Sequence, residues 1–130
     1  MPAAHTVLVL RDAEGSIYGG YADVAWHSRT AWVHSNAAFL FCLASSKAPA
    51  VAPFKMPLNG SNNGHAILCG SGDGATFGNT SSAWDLAVNW AGRVTCNIGT
   101  TYTAGPTGST IGRKAKVDVG AMEVWQLADA

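Results

Sequence analysis

Charge is what this chain has least of. Aspartate, glutamate, lysine and arginine make up 12% of its 130 residues, about half the usual share, and the formal net charge is zero. Gripping a phosphate backbone needs a basic footprint, and none is present, so nucleic acid is not an expected partner. No apolar run approaches the ~20 residues that a spanning helix needs, so membrane insertion is not expected either. Cysteine is scarce: Cys42, Cys69 and Cys96 are odd in number and far apart. They predict no disulfide framework, and the expected compartment is a reducing, cytoplasmic one. The first residues, Met1-Pro2-Ala3-Ala4-His5, lack the basic start and long apolar run of a secretory signal.

What is present is 48% apolar residues and 15 glycines, with turn-forming clusters at short intervals. One domain over residues 1–130 is expected, large enough to close a core without metal or disulfides. Residues 6–11 (TVLVLR) form a β-branched run, residues 12–15 a turn, and residues 16–21 (SIYGGY) a returning strand. The first of these is apolar at nearly every position, which predicts a central strand or one buried on both faces. Residues 38–43 (AFLFCL) predict another strand. Residues 45–57 hold three of the five prolines, which suits an ordered connection ending in a short edge strand at 54–56. Residues 66–69 and 85–88 predict two strands joined by a glycine-dense connection, Gly70-Ser71-Gly72-Asp73-Gly74. Residues 94–102 alternate with a break at Gly99, residues 103–112 read as an exposed loop, and residues 117–127 close the chain as a docked strand carrying Trp125. Many short strands, few helix signals and no βαβ alternation predict a mainly β protein. The expected form is an antiparallel two-sheet β-sandwich with few short helices.

Each candidate for chemistry competes with a plainer role. The glycine connection lacks the Lys-Ser/Thr of a phosphate loop, and Asp73 alone falls far short of a calcium shell, so turn formation is favoured. His65 and Cys69 would share a strand face, but further zinc ligands would have to come from Cys42, Cys96, His27 or His34. No CxxC pair exists, so no metal is expected. No Gly-x-Ser-x-Gly elbow occurs. The carboxylates available for acid–base work are Asp73, Asp85, Asp118 and Glu123, and Glu123 would need a partner if buried among its apolar same-face neighbours. Five tryptophans, Trp26 and Trp32 among them, leave room for a carbohydrate-binding sandwich with exposed aromatic platforms. Cys96 is the least shielded thiol by sequence, the one to consider for direct redox chemistry.

The order of motifs adds a resemblance. Thr6–Leu10 with Asp12 and Gly15, followed by Tyr18-Gly19-Gly20-Tyr21 and Trp26, resembles the first strand pair of a TLDc domain. Ala38-Phe39-Leu40-Phe41-Cys42-Leu43 resembles its next strand. Asn63 to Cys69 with Phe77-Gly78 and Asp85-Leu86 resembles its central segment. Asn97-Ile98-Gly99-Thr100-Thr101-Tyr102 and Met122-Glu123-Val124-Trp125 resemble its last two blocks. The departures are Ala25 before Trp26 in place of proline, Asn79 in place of a glycine, and a start close to the first strand, without the family's usual N-terminal portion. The resemblance implies a β-sandwich, an intracellular role in protection against oxidative stress, and association with subunits of the vacuolar-type proton-pumping ATPase. It implies no cofactor and no established catalysis. By motif position its acidic residues are Asp85 and Glu123, which are expected to be structural or interface residues. Asp73, Trp26 and Trp32 are the candidates for binding.

Overall fold

The structure is a computed structural model that describes residues 5–23, 32–60, 63–69, 73–78, 84–89 and 92–126. Nine strands are present: β1 (Thr6–Asp12), β2 (Ile17–Ala22), β3 (Phe39–Ala44), β4 (Phe54–Pro57), β5 (Ile67–Cys69), β6 (Asp73–Phe77), β7 (Leu86–Asn89), β8 (Arg93–Cys96) and β9 (Lys116–Gln126). Among the described residues the helical content is one 3-10 turn, Asn63–His65. The mainly β reading holds.

The strands form one antiparallel nine-stranded ladder in the order β4-β3-β2-β1-β9-β8-β7-β6-β5. A two-sheet sandwich was expected; among the described residues the strands pair as one continuous ladder, which is not closed. The last strand joins what would be two sheets. Residues 119–126 of β9 pair with β1, and residues 116–118 pair with β8. An 11-residue strand is long enough to serve both neighbours with different segments.

The ladder curls so that distant strands share one core. A Cβ on Gly20 of β2 would lie 2.5 Å from Cζ of Phe77 in β6, although four strands separate the two in the ladder order. Only glycine allows that approach, because any side chain at position 20 would overlap the Phe77 ring. Leu8, Leu10, Tyr18 and Leu40 from one half pack in a single cluster with Ile67, Phe77, Leu86 and Val94 from the other.

β1 is central in the ladder, as its composition predicts, but it is not buried on both faces. Leu8 and Leu10 are closed, Val7 and Val9 are half-buried, and Arg11 is exposed. The β1–β2 turn is held by Asp12. Its Oδ1 accepts the amide N–H groups of Glu14 and Ser16 at 2.9 and 3.1 Å, and its Oδ2 accepts the Tyr18 hydroxyl at 2.9 Å. The proline-rich segment ends in β4, an edge strand as expected. β6 replaces part of the predicted glycine connection. Asp73 opens a strand that pairs with β5 and β7, and the run becomes a three-strand meander. Residues 103–112 carry no long strand, yet they are anchored rather than exposed throughout. Thr107 and Ile111 are buried, and Lys47 Nζ donates to the Thr107 carbonyl at 2.7 Å.

The Gly20–Phe77 contact gives a direct test. Gly20→Ala is expected to destabilise the fold by ~1–3 kcal/mol through overpacking. Pairing it with Phe77→Leu should recover part of that loss in a urea double-mutant cycle. Simple additivity of the two losses would place the ring elsewhere.

Candidate functional site

The acidic candidates fall into two groups with opposite environments. Asp85 immediately precedes β7 and is fully buried. Its Oδ2 accepts three backbone N–H groups, from Gly99 at 3.2 Å, Thr101 at 3.1 Å and Tyr102 at 3.0 Å. Its own carbonyl accepts the Asn97 amide at 2.9 Å. Gly78 presses against the other side of the carboxyl, where a Cβ would come within 2.6 Å of Oδ1, and its φ of +76° also selects glycine. Burial pushes the Asp85 carboxyl above the ordinary range, and the converging backbone amides pull it part of the way back.

The segment that Asp85 holds ties the ends of the ladder together. Tyr102, fully buried, donates its hydroxyl to the Ala66 carbonyl beside β5 at 2.9 Å and meets the Phe77 ring edge-on. The same segment bridges to Leu58 at the end of β4, with Thr103 N–H donating to the Pro57 carbonyl at 2.7 Å. Asp85 therefore organises a loop that contacts both edge strands, a structural role.

Glu123 lies on β9 opposite Val9 and is exposed, so the need for a buried partner does not arise. Its Oε2 accepts the indole N–H of Trp125 at 3.0 Å. Among the described residues, no hydrogen bond or ion pair joins Asp85 to Glu123. Asp73 begins β6 opposite Asn89. Asp118 is exposed and pairs with Arg93 at 3.5 Å. Among the described side chains, Asp85, Asp118 and Glu123 are thus not gathered into one polar cleft.

Trp26 lies outside the described residues, as do His27 and the glycines of residues 70–72. Trp32 is half-buried, edge-on to His65 at 5.3 Å between ring centroids. His65 belongs to the 3-10 turn rather than to a strand, so the shared strand face with Cys69 does not form. Among the described residues, no group of three His, Cys, Asp or Glu side chains is placed to hold a metal ion. Cys96, read as the least shielded thiol, is buried, and burial drives its pKa up to about 12. Cys42 is buried and raised in the same direction.

Sequence reasoning missed the aromatic outer face of β2 and β3. Tyr21 stacks on Phe39 at 5.1 Å, Phe41 follows at 6.4 Å, and Lys55 Nζ sits 4.3 Å over the Phe39 ring. Phe41, Leu43, Pro53 and Phe54 line an open depression of about 240 Å³ beside them. The signal was there in the alternation of residues 39–43, where Phe39, Phe41 and Leu43 occupy one face.

Two outcomes follow from these environments. Asp85→Ala strands the buried Thr101 and Tyr102 amides and should cost ~3 kcal/mol or more of unfolding free energy, whereas Asp85→Asn keeps an acceptor and should cost far less. The raised carboxyl means that the folded state keeps this proton to a higher pH than the unfolded chain, whose carboxyl titrates at about 4. Its stabilisation is present below that pH and is lost as pH rises through the folded value. Urea titrations from acid to neutral pH should then show Asp85→Asn gaining on the wild type as pH rises; a constant difference would rule out the shift. In a Cys69→Ser background, native Cys42 and Cys96 should resist a thiol reagent until denaturant is added. Rapid labelling of the folded protein would contradict their burial.

A family model described as the TLDc domain matches residues 2–128, nearly the whole chain. No curated protein matches the sequence.

Proposed function

The chain belongs to the TLDc domain family, and from that premise we propose that it is a non-enzymatic interaction module. Its expected service is protection against oxidative stress, through binding and regulation of the vacuolar-type proton-pumping ATPase. The observation that carries the non-enzymatic reading is the fate of the acidic residues. Asp85 is closed in the interior with one oxygen, Oδ2, held by three main-chain amides, while Glu123 stands in solvent on another strand. A general acid–base pair needs two such groups within reach of one substrate. The buried, high-pKa Cys96 likewise argues against a direct thiol reaction with oxidants. Binding is supported by apolar side chains left in solvent, Leu43 at 48% and Trp125 at 58% exposure.

The tag-purified chain should capture proton-pump subunits from a lysate at low salt. Leu43→Asp or Trp125→Asp should weaken that capture while leaving the circular dichroism spectrum intact. No enrichment by a folded sample would remove the proton-pump reading.

A further inference from the structure

β9 changes character along its length. At residues 116–118 it has β8 on one side, and the Val119 amide still reaches the Gly92 carbonyl at 2.7 Å. Beyond that, residues 120–126 keep β1 on one side and, among the described residues, have no strand on the other. The core-side positions show the consequence. Leu8 and Leu10 of β1 are 4% and 1% exposed, whereas their partners on β9, Val124 and Met122, are 64% and 49% exposed. On the opposite face Trp125 is also open, at 58%.

The fold treats its other edges differently. β5 is covered by a bridge from Val33, and the end of β4 by Leu58 and residues 101–103. Protein edges are commonly blunted by lysine, proline or a bulge. Residues 120–126 contain no lysine and no proline, Glu123 is their one charge, and the one register shift lies at Gly120, before residues 121–126 pair regularly with β1.

We propose that this open edge of β9 is where two copies of the chain join, antiparallel across a two-fold axis. The occupant has to supply extended backbone with apolar side chains at alternate positions on the core side, and a neighbour for Glu123 that is not acidic. A second β9 supplies all three. Charge selects the register. An axis through Glu123 would set two carboxylates directly opposite, which is destabilising. An axis through Val124 sets Val124 against Val124, Met122 against Gln126 and Glu123 against the partner's Trp125, so each carboxylate faces an indole. The zero net charge of each copy adds no long-range repulsion. Trp125 is shared with the surface proposed above for proton-pump binding, so the dimer would withhold that residue from the pump while leaving Leu43 open.

Sedimentation or light scattering of the full chain at high micromolar concentration should report twice the 13.4 kDa chain mass. Val124→Lys puts two ammonium groups on the axis and should halve the mass, with the unfolding midpoint of a dilute, monomeric sample unchanged. Should that variant fold poorly, Val124→Cys provides the second test. It should form an intermolecular disulfide under mild oxidation, and Glu123→Cys should not, because only position 124 meets its own copy. A wild type that stays monomeric at every concentration overturns the proposal. So does a dimer that survives Val124→Lys, or equal cross-linking at positions 123 and 124. A monomer whose β9 amides become protected only on adding a different protein would assign the edge to that protein instead, and would also overturn it.

Discussion

A single buried carboxyl holds the curled sheet in register. Asp85 is fully buried; among the described residues main chain packs around it, with Gly99, Thr101 and Tyr102 donating and Gly78 filling the space behind. A buried carboxyl is costly unless it is satisfied; here Oδ2 is satisfied by three amides, which shapes a loop, while Oδ1 has no hydrogen-bond partner among the described residues. Fixing residues 99–102 places Tyr102, which reaches Ala66 next to one edge strand, while its neighbours reach Pro57 at the other. A ladder that is not closed by strand pairing is thereby bridged by a segment with little regular structure of its own.

That constraint separates stability from function. Both oxygens of Asp12 at the first turn, and Oδ2 of Asp85 before β7, are occupied by backbone amides and a tyrosine hydroxyl. The thiols of Cys42 and Cys96 are sealed in the same core. What remains available to other molecules is the outer surface: the aromatic face around Phe39, with Lys55 above it, and the end of β9. These open apolar side chains are what support the interaction reading proposed above.

Much of the ladder was legible in the sequence because periodicity and turn chemistry agree locally. Residues 6–21 show it best, where a β-branched run, an Asp-x-x-Gly turn and a second run make β1 and β2. β6 was not legible. Asp73-Gly74-Ala75-Thr76-Phe77 is built largely of turn formers and small residues, and it becomes a strand because β5 and β7 flank it. Its neighbours, not its propensity, decide its state. Asp85 was visible as a family landmark with an expected structural or interface role, but the loop it holds was not, since its partners lie 14–17 residues downstream and are backbone groups that any sequence possesses. Glu123 misled for the converse reason. Alternation placed it among apolar neighbours, but β8 leaves β9 before that point, so the same face is open to water.

Amide hydrogen exchange at Gly99, Thr101 and Tyr102 tests the central role of Asp85 most directly. If the carboxyl organises this loop, the three amides exchange as slowly as those of the core strands β1 and β7, through global unfolding alone, and they lose protection together when Asp85 is replaced by alanine. Rapid exchange at these positions, in a protein whose strands remain protected, would show that the loop opens independently and that Asp85 does not hold the fold.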